Sequence, residues 1–327
     1  MVKAMKLQSK KYSMSLDAPS IYPVLFLLIF FALSLFAIDG TAATDGAATQ
    51  ITFATPSEAG QALQAANRAN DEDKLRGILG PDSQDVIGSG DPTADQAARQ
   101  SFVTKYDQMN RWVTMTDGSQ VLYIGADNYP FPIPLAQNSS SRWYFDTTAG
   151  KEEILARRIG RNELLAMDAS SAIVGAEHQY YQTAHDGSPA QQYTSRIVST
   201  AGKHDGLYWP AASQAPSPLG ILAELPKSSV PSLSPGNPFV VDGYTLRIVA
   251  EQGDSVAGGA KSYTANGKLT GSFAILATPM KYGETGIMTF MTASNGKIYE
   301  QNLGPDTAKI AASIQEFTPT DDWSPVQ

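Results

Sequence analysis

The stretch "WYFDTTAGKEEILARRIGRNELLAM", residues 143–167, passes from an aromatic strand end into a charged segment with three arginines. Its reading decides the architecture. Beyond Asp146 and two threonines the apolar period becomes helical and does not stop until His185-Asp186-Gly187. Leu155, Ile159, Ala166, Ala169, Ile173, Ala176 and Tyr180 recur about every 3.5 residues, with Asn162 at the position where the next member belongs. The pattern predicts one helix of about 34 residues, roughly 50 Å long, with Gly160 and Gly175 as weak points. Arg157, Arg158 and Arg161 alternate with Glu152, Glu153 and Glu163. Glu153 and Arg157 form an i,i+4 pair, and Arg158 reaches Glu163 only if the helix bends slightly. The cluster reads in two ways: an exposed turn whose charges are solvated or tie one domain to the next, or an anion site for a carboxylate or phosphate. The joint is the expectation.

Outward from that helix, the bulk numbers set limits. A chain of 327 residues, 42% hydrophobic and 17% charged, can bury real cores, and its length suits about two domains. The formal charge is −8. Residues 1–43 carry Lys3, Lys6, Lys10 and Lys11 against Asp17 and Asp39, so the remainder carries about −10. Such a chain is repelled by phosphate backbones, which argues against a nucleic-acid partner. Three arginines without interleaved aromatics do not change that. Cysteine is absent, which excludes disulfides, thiolate metal sites, cysteine nucleophiles and a lipid-modified N-terminal cysteine.

The first 43 residues have a basic start, an apolar run of 18 residues from Ile21 to Ile38 that includes Pro23, then small residues. That order is a secretory signal peptide, and "TAA" at 41–43 offers a cleavage site. The alternative is an uncleaved anchor, since the run approaches a membrane span. Either way the rest of the chain lies outside the cytoplasm, where ATP and reduced nicotinamides are scarce.

Between signal and helix, Thr55, Pro56 and Glu58 make a capping box for a helix from Pro56 to about Ala69. A second helix is predicted near Glu72–Leu79, and Asp91-Pro92 starts a third with Ala98, Phe102 and Tyr106 on one face. The period then changes to two. Asp117-Gly118 marks one hairpin and Asn138–Ser140 another, while Pro130, Pro132 and Pro134 suit an edge strand. Beyond the long helix, "GYTLRIV" puts Tyr244, Leu246 and Ile248 on one side and "GSFAILATPM" is a buried-type run. Asn295-Gly296 is the strongest hairpin signal. A closing helix is expected from Asp306 to Phe317 with Ile310 and Ile314 inward.

Three resemblances follow from these segments. Helices followed by a curved antiparallel sheet resemble nuclear transport factor 2-like domains by order of elements alone. "NELLAMDASSAIVGAEHQYYQ", "GYTLRIV" and "GSFAILATPMKYGETGIMTFMTASNGKIY" look like the soluble half of type IV pilins and pseudopilins. In that family a hydrophobic helix start follows a prepilin peptidase site directly; here "KEEILARRIGRNE" stands there and a whole domain precedes it. The fullest match is to the bacterial exported family called domain of unknown function 2950. "FATPSEAGQAL", "GSGDP", "YPFPIPL", "WYFDTTAGKEEILARRIGRNEL", "VSTAGKHDGLYWPA", "PLG", "NGKLTGSFAILATPMKYGETGIMTF" and "LGPDTAKIA" all resemble it. The resemblance implies layout and export and no reaction. Many members carry a "DxDGDG"-like acidic turn after the long helix; "HDGSPAQQY" here lacks most of those carboxylates, which argues against calcium.

Motifs with chemistry are few. His178, His185 and His204 are the histidines, with no "HEXXH" spacing, so no metal site is expected. "GDSVAG" at 253–258 resembles the start of a nucleophile elbow, but Ala257 stands where the second glycine belongs, and a flexible loop is the plainer reading. "GGAKS" misses the phosphate-loop pattern at Ala260. The most suggestive segment is "GKHDGLYWPAA", residues 202–212, which gathers His204, Asp205, Tyr208 and Trp209 in a loop. It is either a ligand loop or one whose aromatics pin it to the core.

The expectation is an α+β protein: N-terminal helices plus a curved antiparallel sheet, then a long helix packed on a second antiparallel sheet, pilin-like. The domains are a signal peptide at 1–43, an α+β cone-like domain at 44–149, a helix-plus-sheet domain at 150–320 and a tail at 321–327. The function expected is a non-catalytic binding or scaffold role in the cell envelope, periplasmic or extracellular. The alternatives are a hydrolase using His204 and Asp205, or a pilin-like subunit of a surface or secretion assembly. Candidate binding residues are His204, Asp205, Tyr208, Trp209, Arg157, Arg158 and Arg161. No cofactor is implied; the partner is an envelope protein or small ligand, with membrane contact only through an uncleaved N-terminal segment.

Overall fold

Helices capped where the sequence marks them lead into a first antiparallel sheet, and one long helix precedes a second. The computed structural model describes residues 50–187, 189–210, 216–220 and 239–326. The expected signal segment, residues 1–43, lies outside these, as do Ala211 and Ala212 of the aromatic loop. The chain is α+β, and it divides into two compact units after Lys151.

In the first unit, α1 (Pro56–Arg68) begins at Thr55, whose hydroxyl accepts from Glu58 N, while Glu58 Oε2 accepts from Ala54 N. Next come α2 (Glu72–Leu79), a 3-10 turn with the short α3 (Gln84–Ile87), and α4 (Pro92–Gln108), capped by Asp91. Of the expected apolar face of α4, Tyr106 is buried and Phe102 is half-buried against the core, while Ala98 is exposed and Arg99 and Val103 are buried as well. Arg99 is 6% exposed; its guanidinium donates to Asn70 Oδ1, Glu72 Oε1 and Ile87 O, which gives a buried charge the partners it requires. Strands β1 (Asn110–Thr114), β2 (Gln120–Ile124), β3 (Tyr129–Pro130), β4 (Leu135–Gln137) and β5 (Trp143–Phe145) form one sheet in the order β1-β2-β4-β5, with β3 paired to β2 alone. The proline-rich run splits into β3 and β4 around buried Ile133. Leu63, Leu75, Ile78, Leu135 and Phe145 centre this unit's core.

The long helix α5 spans Thr147–Tyr181, 35 residues without interruption. Asp146 Oδ1 accepts from Ala149 N at its start. The division between units falls inside its first turns. Beyond it lie β6 (Phe239–Val241), β7 (Tyr244–Val249), the short pieces β8 (Glu251–Gln252), β9 (Lys261–Ser262), β10 (Thr264–Ala265) and β11 (Lys268–Leu269), then β12 (Ala274–Pro279), β13 (Met288–Ala293) and β14 (Ile298–Asn302). After α6 (Thr307–Ser313), β15 (Ser324–Pro325) completes a six-stranded antiparallel sheet, β15-β14-β13-β12-β7-β6.

This sheet is covered on both faces. Leu246, Ile275, Ala277 and Phe290 share a core with Ala166, Ile173, Ala176 and Tyr180 of α5. Val249, Leu276 and Met291 pack instead with Ala311, Phe317 and Trp323. Two buried faces explain why "FAILA", residues 273–277, is apolar at every position rather than at alternate ones. Asn162 is buried on the stripe of α5 because its amide donates to Thr285 O at 2.9 Å. Glu163 Oε1 accepts from Ile287 N and Met288 N at 2.8 and 3.0 Å, so that carboxylate bonds to backbone and not to Arg158. The closing helix is shorter than expected, and its phase differs: Thr307 and Ala311 face inward, Ile310 is exposed, and Ile314 is the half-buried C-cap. Half-buried Arg247 donates to the carbonyls of Ala311 and Ile314 there, satisfying helix-end acceptors.

Candidate functional site

Of the three arginines of α5, Arg157 has its Nε 2.7 Å from Glu153 Oε1, one turn away on the same helix, in a part-buried pair. Arg158 and Arg161 are exposed and form no ion pair among the described residues. An i,i+4 pair stabilises a helix by about 0.3–0.5 kcal/mol.

The aromatic loop is held to the end of α5 by its own polar groups. Ser199 N donates to Tyr208 O and Tyr208 N to Ile197 O, so the strand-like ends of the loop cross at Gly206, where a Cβ would lie 2.7 Å from Ser199 N. Tyr208 and Trp209 are buried in the core beneath α5, 9% and 4% exposed. Asp205 Oδ1 accepts from Thr200 N at 2.7 Å and its Oδ2 from Thr200 Oγ1 at 2.8 Å, with Arg196 Nε at 3.9 Å. Burial opposes ionisation of Asp205, but the two Thr200 bonds and the charges of Arg196 and Lys203 hold its carboxyl below the usual range. His204 therefore meets a different carboxylate. Its backbone N–H donates to Asp186 Oδ2, and its Nδ1 stands 3.4 Å from Asp186 Oδ1, while its ring tilts over Trp209 at 4.6 Å. Any acid–base pairing in this loop joins His204 to Asp186, not to its sequence neighbour.

Two buried ionisable groups adjoin the loop. Glu177 is fully buried; its Oε2 accepts from Thr194 N at 3.1 Å, and its Oε1 has no partner among the described residues. Burial pushes its carboxyl up to about 8 against that hydrogen bond, so it is protonated at neutral pH. The available signal was its place four residues after Ile173 on the buried stripe of α5. His185 stacks on Tyr180 at 4.0 Å, and burial lowers its pKa. Among the described residues no group of three or more His, Asp or Glu side chains is placed to hold a metal ion.

A cavity of about 380 Å³ opens beside the second sheet, close to the C-terminal end of α5, where His178 Nε2 lies 2.8 Å from Ser294 O and its ring meets Phe273 edge to face. Four segments far apart in sequence build it: Gln252 to Tyr263, Ser272 and Phe273 before β12, Ala293 to Tyr299 across the β13–β14 turn, and Phe317 to Pro319. None of its lining side chains carries a charge at neutral pH. Tyr299 and Phe317 meet edge to face at 6.0 Å. The hydroxyls come in pairs, Ser272 with Ser294 and Ser255 with Thr318, each at 2.8 Å. Gln252 braces the wall: its amide donates to Ala257 O and Gly259 O and accepts from Tyr263 Oη. Ser255 sits in a turn between two short strands, with no strand-to-helix elbow, and its hydroxyl bonds to Thr318 rather than to a base. The segment singled out for a nucleophile is thus one wall of a cavity. The rest of the lining consists of serines and aromatics that form no motif in sequence.

Residues 50–326 match the family model described as "Protein of unknown function (DUF2950)", and the chain belongs to that family. No curated protein and no solved structure matches it. The resemblances to pilin soluble halves and to nuclear transport factor 2-like cones therefore rest on the order of elements.

Proposed function

We propose that this chain is an exported cell-envelope protein that holds a small uncharged ligand without transforming it, and that the cavity beside Ser255 and Tyr299 is its site. The observation that carries the reading is a small-molecule-sized cavity with aromatic walls and several uncharged polar groups, the composition usual for ligand pockets. Its hydroxyls bond to one another and not to a general base, which supports holding over catalysis. Export is supported by the basic, apolar and small-residue order of residues 1–43 and by the absence of cysteine. The full-length protein, purified from the envelope and denatured, is expected to release one small molecule in near-equal amount, detected by mass spectrometry. Ser255→Trp, which places a bulky ring at the exposed rim, is expected to abolish that. A protein that releases nothing, and whose melting temperature no small molecule raises, would sink the reading.

One observation favours a second reading. The Asp186–His204 contact beside Trp209 has the geometry of an oriented imidazole, as a hydrolase base requires. Turnover of an ester, glycan or peptide substrate that disappears in both His204→Ala and Asp186→Asn would establish it over the binding reading.

A further inference from the structure

We infer that the ligand of this cavity is a neutral carbohydrate, a sugar ring or short oligosaccharide. The inference rests on the binding reading above and adds the class of ligand.

Charge comes first. A carboxylate, phosphate or ammonium drawn into a cavity with no ionised lining group would lose its hydration without gaining a counter-charge. Two lysines adjoin the lining: Lys297, whose ammonium lies 4.9 Å from the centre of the Tyr299 ring and so has an electron-rich partner, and the exposed Lys261, whose ammonium would lie 3.6 Å from a Cβ at Gly258. The lining therefore selects for a neutral molecule.

The polar groups narrow the choice further. In the Ser272–Ser294 and Ser255–Thr318 pairs either oxygen can be the donor. A hydroxyl pair uses one proton internally, which leaves one proton and several lone pairs to offer a guest. Such pairs are donors and acceptors at once, as are the hydroxyls of a sugar. A purely apolar guest would cover these oxygens and leave them unsatisfied, at about 1–3 kcal/mol for each group. Gln252 has both amide protons engaged and its oxygen bonded to Tyr263 Oη, and serves as a strut.

The aromatic walls supply the remaining complement. A sugar ring presents hydroxyls around its edge and C–H bonds on its faces, and polarised C–H groups seat against the negative faces of aromatic rings. Tyr299 is half-buried and is the ring that reaches the opening; Phe317, at 63° to it, and Tyr263 and Phe273 are 7%, 5% and 1% exposed and back it, so a guest seats on one ring. These groups sit at strand ends and a tight hairpin, Phe273 at the start of β12 and Ser294 to Tyr299 across the β13–β14 turn, which holds their spacing.

The test uses the full-length protein purified from the envelope, stripped of any co-purified molecule, in calorimetric titrations. The probes are maltotriose and the trimer of N-acetylglucosamine as neutral sugars, trigalacturonate as an anionic one, decanoate as an apolar chain and trialanine as a peptide. Saturable binding of a neutral trisaccharide is expected. Tyr299→Ala and Ser272→Ala should each weaken it on the order of tenfold. Ser255→Ala, in an exposed loop where folding is not at stake, gives a smaller loss at the same site. Preferential binding of decanoate or trialanine, lost in these variants, overturns the carbohydrate class, and preferential binding of trigalacturonate overturns the neutrality of the ligand; each leaves standing only that the cavity is a binding site. Neutral-sugar binding that all three variants leave intact overturns this site. No binding by any probe, with no molecule released from the native protein, overturns both.

Discussion

Glu177 keeps its proton because none of the described residues replaces water for its second carboxylate oxygen. Its pKa, pushed up by burial from the ordinary 4.5 to about 8, has a definite sign for stability. Between those two values the folded chain holds a proton that the unfolded chain has released, so stability is fully present below pH 4.5 and is lost as pH rises through about 8. The slope approaches about 1.4 kcal/mol per pH unit where the difference is one whole proton. His185 acts in the opposite direction: burial lowers its pKa, so stability falls as pH drops through the unfolded histidine range. The two are separable by substitution. Glu177→Gln keeps an oxygen for Thr194 N–H and removes the titration, so urea midpoints of the variant should lose the decline that the parent shows from pH 5 to 8. Equal pH profiles for the two proteins would show that Glu177 is ionised and solvated.

At the scale of elements, α5 makes the clearest statement. Its buried stripe, through Ile159, Asn162, Ala166, Ile173 and Tyr180, is the one the 3.6-residue period marks. The glycines that looked like weak points interrupt nothing, and a Cβ at Gly160 or Gly175 would meet no atom within 4 Å. Gly160→Ala and Gly175→Ala are therefore expected to raise stability by about 1 kcal/mol each, read as higher urea midpoints with unchanged slope. A loss at either site would mean that the helix bends there. Elements with local signals were legible in this way: Thr55 and Asp91 cap helices, and Asn295-Gly296 turns β13 into β14, Gly296 taking φ 84°. Elements without them were not. The faces of α4 and α6 were legible only in part: Ala98 and Ile310 fit an apolar pattern and are exposed, while Arg99 and Thr307, polar side chains with distant or backbone partners, are buried. The cavity was illegible for a related reason: it is assembled by the order of strands, and strand order follows from packing on two faces, which no single segment encodes.

At the scale of the whole molecule, the charge distribution bears on export. Residues 1–43 carry all of their positive charge before the apolar run, and the chain beyond them is acidic by about ten charges. Under the proposed export, a basic start facing the cytoplasm and an apolar run long enough to enter the bilayer would set the orientation in which the rest crosses. Each unit has a core of its own, around Leu63 and Phe145 in the first and around Tyr244 and Phe290 in the second, and with no cysteine in the chain its folding needs no disulfide chemistry. Among the described residues no helix is long and apolar enough to cross a membrane. Cleavage after Ala43 is therefore expected to yield a protein beginning at Thr44 that is washed from membranes by high salt and lacks the first 43 residues by intact mass. The substitution Ala43→Tyr, which removes a small side chain from the cleavage site, should leave the precursor mass and hold the protein in the membrane fraction. An unsubstituted protein that keeps its N-terminus and resists salt extraction is anchored, and the proposed ligand would then be captured at the membrane surface rather than by a freely diffusing envelope protein.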